Sequence, residues 1–467
     1  MTALSEDDVV AQVARLAGRF PPGFLFGVAS SAYQIEGAAA EDGRGPSIWD
    51  RFSHEPGRIA NGETGDVATD HYHRLAEDLD LMRSLGVEAY RFSVSWPRVL
   101  PAGTGPVNEP GMAFYERLVD GLLERGITPV LTLYHWDLPD ALQAQGGWAS
   151  PAMIGWFAEY AALLAGRLGD RVSRWVTLNE PQVFTFTGYA RGRHAPGHSD
   201  WPMALQASAV ALQAHGAAAE RVRDAVPGAQ IGVSLDMNHV VPATGSDDDE
   251  RAARVHRAVQ QEWFLDPLFG RGFPELALQT HRAAGHLSGV DKLSAPMPDG
   301  HRLDFIGLNY YTREVIAADA GALLGYRVVQ VPVPRTTMGW EVHPDGLRQV
   351  ALWLQSAYRP GSIIVTENGA AFPEPASLDG KQLDDAERVD YLASHIAAAA
   401  RALEEGVPLE GYFAWSLLDN FEWEKGLGQR FGIVHVDYAT LERRPKASAG
   451  WYAALMRAHH AANRGAA

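Results

Sequence analysis

The sequence predicts an α/β protein built around a parallel sheet. Three observations carry this. Eight short apolar runs recur along the chain, segments of helical periodicity separate them, and polar residues gather where the runs end. Such alternation fits a closed (β/α)8 barrel or an open doubly wound sheet. No GxGxxG fingerprint follows the first run, which counts against the dinucleotide-binding form of the open sheet.

The runs are FLFGVAS (24–30), EAYRFSVSW (88–96), TPVLTLYHW (128–136), SRWVTLN (173–179), QIGVSLDMN (230–238), LDFIGLNYY (303–311), SIIVTEN (362–368) and GYFAWSLLDN (411–420). They are rich in β-branched and aromatic residues, as buried strands are. Between them, HRLAEDLDLMRSLG sets Leu75, Leu79, Met82 and Leu85 on one stripe, with Gly86 as a stop. AFYERLVDGLLERG, AMIGWFAEYAALLAGRLG and ERVDYLASHIAAAARALEEG read as helices in the same way. SDDDE (246–250) and VPVPR (331–335) read as surface loops, because alternation continues on both sides of each. The expected organisation is a tail or short helix over 1–16, one barrel domain over 17–457 and a tail over 458–467.

The balance of 57 acidic against 40 basic residues, a net charge of −17, argues against a nucleic-acid partner. The chain has no cysteine, so disulfides, thiolate catalysis and Cys-held metals are excluded. Near its start stand Glu6, Asp7 and Asp8, where a signal peptide would carry basic residues. No apolar run is long enough to span a bilayer. A soluble cytoplasmic protein with no membrane partner is expected, its oligomeric state open.

The polar residues at the run ends form an unusual set. Gln34 follows the first run and Arg91 lies on the second. His135 and Trp136 close the third, and Asn179 with Glu180 the fourth. Asn309, Tyr310 and Tyr311 end the sixth, and Glu367 the seventh. Trp415, Glu422 and Trp423 belong to the eighth. In a closed barrel these ends share one rim, where such folds place their active sites. NEP and ENG are each also ordinary turns when taken alone. Together they suggest two facing carboxylates. One protonated and one ionised carboxyl suit cleavage of a glycosidic bond. Asn179 can bond a sugar hydroxyl, and Arg91 with a tyrosine hydroxyl would keep Glu367 anionic. Trp136, Trp415 and Trp423 offer flat faces to a pyranose, although a large core also uses tryptophan.

The motifs TLNEP (177–181), VTENG (365–369), FGVASSAYQIEG (26–37), YHWDLP (134–139) and WSLLDNFEW (415–423) resemble the signatures of glycoside hydrolase family 1. This is the β-glucosidase family of retaining (β/α)8-barrel enzymes. The resemblance runs in order from about Phe20 to about Tyr452. It implies a single TIM barrel with extended βα loops, Glu180 as acid/base and Glu367 as nucleophile. It implies that Gln34, His135, Asn179, Glu422 and Trp423 hold the first sugar over Trp415. Tyr311 would bond the nucleophile, and Trp340 would line the aglycone side, together with loops near 185–200 and 315–345. The expected reaction is hydrolysis of terminal β-D-glucosyl residues, and also galactosyl or fucosyl residues, from small glycosides, with no metal or cofactor. One departure is Phe26, where the family usually has tryptophan. Family members that take 6-phosphorylated sugars replace the residue matching Glu422. This chain keeps it, and its negative charge would repel a phosphate; Lys425 nearby reads as a solvated loop lysine.

Two rival readings exist. His71 and His73 have a spacing used by metal sites at barrel strand ends, but they open a helix instead of ending an apolar run. A non-catalytic sugar-binding barrel would be expected to lack one carboxylate, and both are present.

Overall fold

A computed structural model describes residues 6–288, 303–375, 378 and 383–464. Every one of the eight runs contains a strand that is shorter than the run, and at the last run the strand begins two residues early. These are β1 (Leu25–Ala29), β2 (Ala89–Ser93), β3 (Thr128–Tyr134), β4 (Arg174–Asn179), β5 (Gln230–Asp236), β6 (Phe305–Asn309), β7 (Ile363–Asn368) and β8 (Leu409–Trp415). They close into a barrel in the order β1-β8-β7-β6-β5-β4-β3-β2, with parallel pairing throughout. The open sheet is thereby excluded.

Helices surround the barrel. Helix Leu75–Leu85 buries Leu79, Met82 and Leu85 and stops at Gly86, whose φ of 72° closes the last turn on the carbonyls of Met82 and Arg83. Helix Glu6–Ala17 buries Val13 and Ala17 and packs on the C-terminal helix Ala447–Arg464. That last helix continues through the segment expected as a tail from 458, because His459 is buried and faces Phe26 and Glu88. Residues 465–467 lie outside the described residues.

The SDDDE segment is not a loop. Ser246 caps helix Asp247–Arg257 by accepting from the Asp249 N–H at 3.2 Å, and the acids fill the first turn. Acidic side chains are favoured there by the helix dipole. The 313–345 region carries two strands, Arg313–Ala318 and Tyr326–Val329, which join His239–Pro242 in a small sheet. VPVPR (331–335) has no regular structure beyond a single bridge from Arg335 to Glu341. Among the described residues no helix is long and apolar enough to cross a membrane.

Inside the barrel, Ala29, Ala89, Val130, Val176, Phe305, Ile364 and Phe413 form one apolar cluster, one residue from each of seven strands. The fifth strand contributes Gly232. A Cβ there would stand 2.5 Å from the Phe305 ring. Gly27 gives way to the Phe413 ring in the same manner. Two phenylalanines therefore fill the barrel because two strands carry no side chain opposite them.

Gly232→Ala should lower stability by about 1–3 kcal/mol, the usual cost of overpacking a core. The thermal midpoint at a fixed scan rate measures this. A midpoint equal to that of the parent would mean that Phe305 moves aside freely.

Candidate active site

The two glutamates owe their positions to local irregularity. The β4–β5 pairing shifts register between Val176 and Asn179, and β7 shifts against both neighbours after Val365. Such bulges re-aim the side chains beyond them. Glu180 then takes a left-handed conformation, φ 49°, as Pro181 opens a short helix. Trp136 (φ 83°) and Trp423 (φ 47°) share this strained class. Strain of this kind gathers at functional sites.

Arg91 is buried inside the barrel and joins the polar groups. Its Nη1 donates to Glu367 Oε1 at 2.5 Å, its Nη2 to Asn179 Oδ1 at 2.7 Å and its Nε to Thr132 Oγ1 at 3.2 Å. Tyr311 donates to the other Glu367 oxygen at 2.7 Å. Asn309 Nδ2 donates to Glu180 Oε1 at 2.8 Å and to Asn179 Oδ1 at 3.0 Å. With its oxygen so occupied, Asn179 must turn its NH2 toward His135 Nε2, 3.0 Å away. His135 is therefore protonated at Nδ1, an atom with no hydrogen-bond partner among the described residues. Burial and the Arg91 charge hold the ring well below its usual pKa, so it is neutral.

Burial raises both Glu180 and Glu367, but unequally. For Glu367 the Arg91 charge and the Tyr311 hydrogen bond oppose it. For Glu180 the Glu367 and Asp236 charges add to it, so Glu180 lies well above the carboxylate range. The pair therefore holds its proton on Glu180.

A cavity of about 480 Å³ opens over these groups. His135, Trp136, Glu180, Tyr311, Trp340, Glu367, Trp415, Glu422 and Trp423 line it. Gln34, Asn179, Arg91 and Asn309 stand one layer behind, fully or almost fully buried. Gln34 Nε2 donates to the Phe421 carbonyl at 2.9 Å and lies 3.4 Å from Glu422 Oε2. Trp136 spends its N–H on the Asn179 carbonyl at 2.9 Å and packs on Trp423. Trp415 lies parallel to His135, and Trp340 packs on Tyr311. Parts of the 185–200 and 315–345 segments form the outer wall.

Several wall residues escaped the sequence reading. Glu424 is paired with Arg193 at 2.7 Å and His194 at 2.5 Å. Glu314 is paired with His256 at 2.7 Å. Asp236 ends β5 in the same position relative to its strand as the residues singled out on other strands, so the same rule reaches it. Glu422 also differs from expectation. Burial, with Glu424 and Glu367 nearby, pushes its pKa to about 8, so near neutrality it is mostly protonated and not the anion assumed from sequence. The two histidines of the metal reading part company. His71 Nδ1 meets buried Asp78 at 2.7 Å, while half-exposed His73 meets Asp70 and Glu41.

The model for glycosyl hydrolase family 1 matches residues 16–461. The chain belongs to this family. β-Glucosidase A of Thermotoga maritima is 46% identical over 440 residues, covering 94% of this chain and 98% of that protein. β-Glucosidase A of Acetivibrio thermocellus is 44% identical, covering 93% and 97%. The solved family 1 β-glucosidase from Thermotoga maritima superposes with a TM-score of 0.90 at 46% identity, covering 94% of this chain and 98% of that one. The same enzyme in complex with glucoimidazole gives 0.91 at 46% identity, covering 95% and 99%. Phe26, the departure from the family pattern, packs on Phe20, Phe24 and His459 and does not line the cavity.

A pH prediction follows from Glu422. The unfolded chain releases this proton near 4.5, whereas the folded protein keeps it to about 8. Between those values the unfolded state binds fewer protons, so this group destabilises the fold increasingly as pH rises. Glu422→Gln should therefore melt above the parent, with a gap that widens from pH 5 to pH 8. A constant gap would mean that Glu422 is ionised in the folded protein.

Proposed function

We propose that this chain is a retaining β-glucosidase. It removes terminal non-reducing β-D-glucosyl residues, and also galactosyl or fucosyl residues, from oligosaccharides and from aryl or alkyl glycosides by double displacement. The observation that carries this is the asymmetry of the two glutamates. Glu367 is held by a guanidinium and a phenol, while Glu180 faces negative charge and keeps the proton. The relatives named β-glucosidase, which match nearly the whole chain, support the same reading.

In the first step Glu367 attacks the anomeric carbon as Glu180 gives its proton to the leaving oxygen. The glycosidic C–O bond breaks and an ester to Glu367 forms. Loss of the leaving group leaves Glu180 ionised. It then takes a proton from water, whose oxygen attacks the same carbon and releases the sugar with its original configuration. His135 offers its Nδ1–H to a sugar oxygen. A protonated Glu422 can both donate to and accept from hydroxyls, and Trp415 provides an apolar face. Gln34, Asn179 and Trp423 complete the set proposed to hold the first sugar. Arg91, Asn309, Trp136 and Trp340 support it.

Glu367→Gly should abolish hydrolysis of para-nitrophenyl β-glucoside yet accept α-glucosyl fluoride as a donor for making glycosidic bonds. Near-normal hydrolysis by this variant would remove Glu367 from the nucleophile role. Glu180→Ala should lose about 10²–10⁴-fold on substrates with poor leaving groups, the usual contribution of a general acid. A dinitrophenyl glucoside should suffer far less, and azide should speed its turnover. Equal losses on both substrates, with no azide effect, would count against the acid/base assignment.

A further inference from the structure

The mouth of the barrel has two halves. Gln34 and Glu422 follow β1 and β8, and β5 stands directly across the ring from β1 in the strand order. Asp236, the last residue of β5, therefore faces the opposite half, on the strand next to the one that Glu180 follows. Its main chain is fixed on three sides. The Glu180 N–H donates to the Ser234 carbonyl at 2.8 Å, the Met237 N–H to the Asn309 carbonyl at 2.9 Å, and Gln182 Nε2 to the Asp236 carbonyl at 2.7 Å. A side chain carried on a rigid strand end can discriminate between ligands.

What sets Asp236 apart is its lack of a partner. Other acids of the cavity wall are matched: Glu314 with His256 at 2.7 Å, Glu341 with Arg313 at 2.7 Å, and Glu424 with Arg193 at 2.7 Å. Arg335 spends its guanidinium on the carbonyls of Val331 and Gly339. Among the described residues, neither Asp236 carboxyl oxygen has a hydrogen bond or ion pair, yet the residue lines the cavity. The described lining as a whole carries seven carboxyl side chains against four lysine or arginine side chains.

We propose that Asp236 determines aglycone specificity in this chain, selecting leaving groups that carry a cationic hydrogen-bond donor, such as a protonated primary amine, over neutral or anionic ones. This rests on the glucosidase reading above. Two physical facts support it. An unpaired carboxyl held away from bulk water is costly to ionise alone, and desolvation of half-buried Asp236, together with Glu314 and Glu367, raises it to about 8. An arriving ammonium group supplies the missing charge, lets the carboxyl ionise and donates a charge-assisted hydrogen bond to it, whereas an anionic aglycone meets the acidic excess of the wall.

The test compares para-aminomethylphenyl, para-hydroxymethylphenyl and para-carboxyphenyl β-glucosides, which are similar in shape and leave similar phenols. At pH 7 the wild-type kcat/KM should be about tenfold or more higher for the ammonium substrate than for the hydroxymethyl one, and lowest for the carboxylate. In Asp236→Asn the ammonium advantage should fall to near unity. Intrinsic leaving-group differences cancel in the ratio of the two ratios. The wild-type comparison needs no variant, so a folding defect cannot mask the outcome. A wild-type ratio near one overturns the proposal. So does an ammonium preference that survives in Asp236→Asn, or a variant that loses all three substrates equally. Failure of the wild type on every glucoside, para-nitrophenyl β-glucoside included, would instead sink the glucosidase reading.

Discussion

Arg91 is a guanidinium buried inside a barrel, and the arrangement of the site depends on it. A charge in that position is tolerable only with good partners. Its Nη1 takes Glu367 and its Nη2 takes the Asn179 side-chain oxygen. The second contact fixes which way the Asn179 amide points, and that in turn fixes the proton of His135 on Nδ1. Asn309 bridges the same Asn179 oxygen to Glu180. One cation thus sets the charge of the nucleophile candidate, the tautomer of the histidine and the hydrogen bond to the second glutamate. Lysine could not replace it, because three divergent contacts need the planar fork.

A second buried network ties together the two loops that frame the sugar end. Lys446 Nζ lies 2.6 Å from Glu374 and 2.8 Å from Asp419. Arg388 adds contacts to Glu374, to Asp385 and to the Ala370 carbonyl. Asp419 also accepts from the Gly432 N–H and from Arg430. Glu374 follows the ENG turn and Asp419 precedes Glu422, so the lysine links the chain after the one to the chain before the other. Glu374, Asp419 and His435 lie close enough together to suggest an ion site. The charge such an ion would bring is already supplied by Lys446, Arg388 and Arg430.

Much of this was legible in the sequence because strands announce themselves by composition and rims by their polar ends. Glu180, Glu367, His135 and Trp415 each follow or close an apolar run, and each lines the cavity. Asp236 obeys the same rule, but no familiar tripeptide surrounds it to mark it in the sequence. The SDDDE segment reads as a loop in sequence because its charge overshadows the capping pattern from Ser246 to Asp249. The protonation of Glu422 was not legible at all. It depends on burial and on Glu424 and Glu367, which are two and fifty-five residues away in the chain and meet only when the barrel closes.

The charges of this protein divide into two populations with opposite consequences. At the site, buried Glu180 and Glu422 and half-buried Asp236 have little or no cationic help, and their pKa values rise. These groups weaken the fold as pH climbs above the ordinary carboxylate range. In the frame, Glu374 and Glu424 are held down to about 2 because the cations around them outweigh burial. Such groups stabilise the fold above their unfolded pKa, and that contribution is lost as pH falls toward 2. Along the chain a paired carboxylate stands close to an unpaired one: Glu424 is two residues from Glu422. The loop that carries protonated Glu422 is thus anchored by ionised Glu424. A site that needs a proton on one carboxyl and none on another can be built into a stable barrel because its neighbours carry the compensating ion pairs.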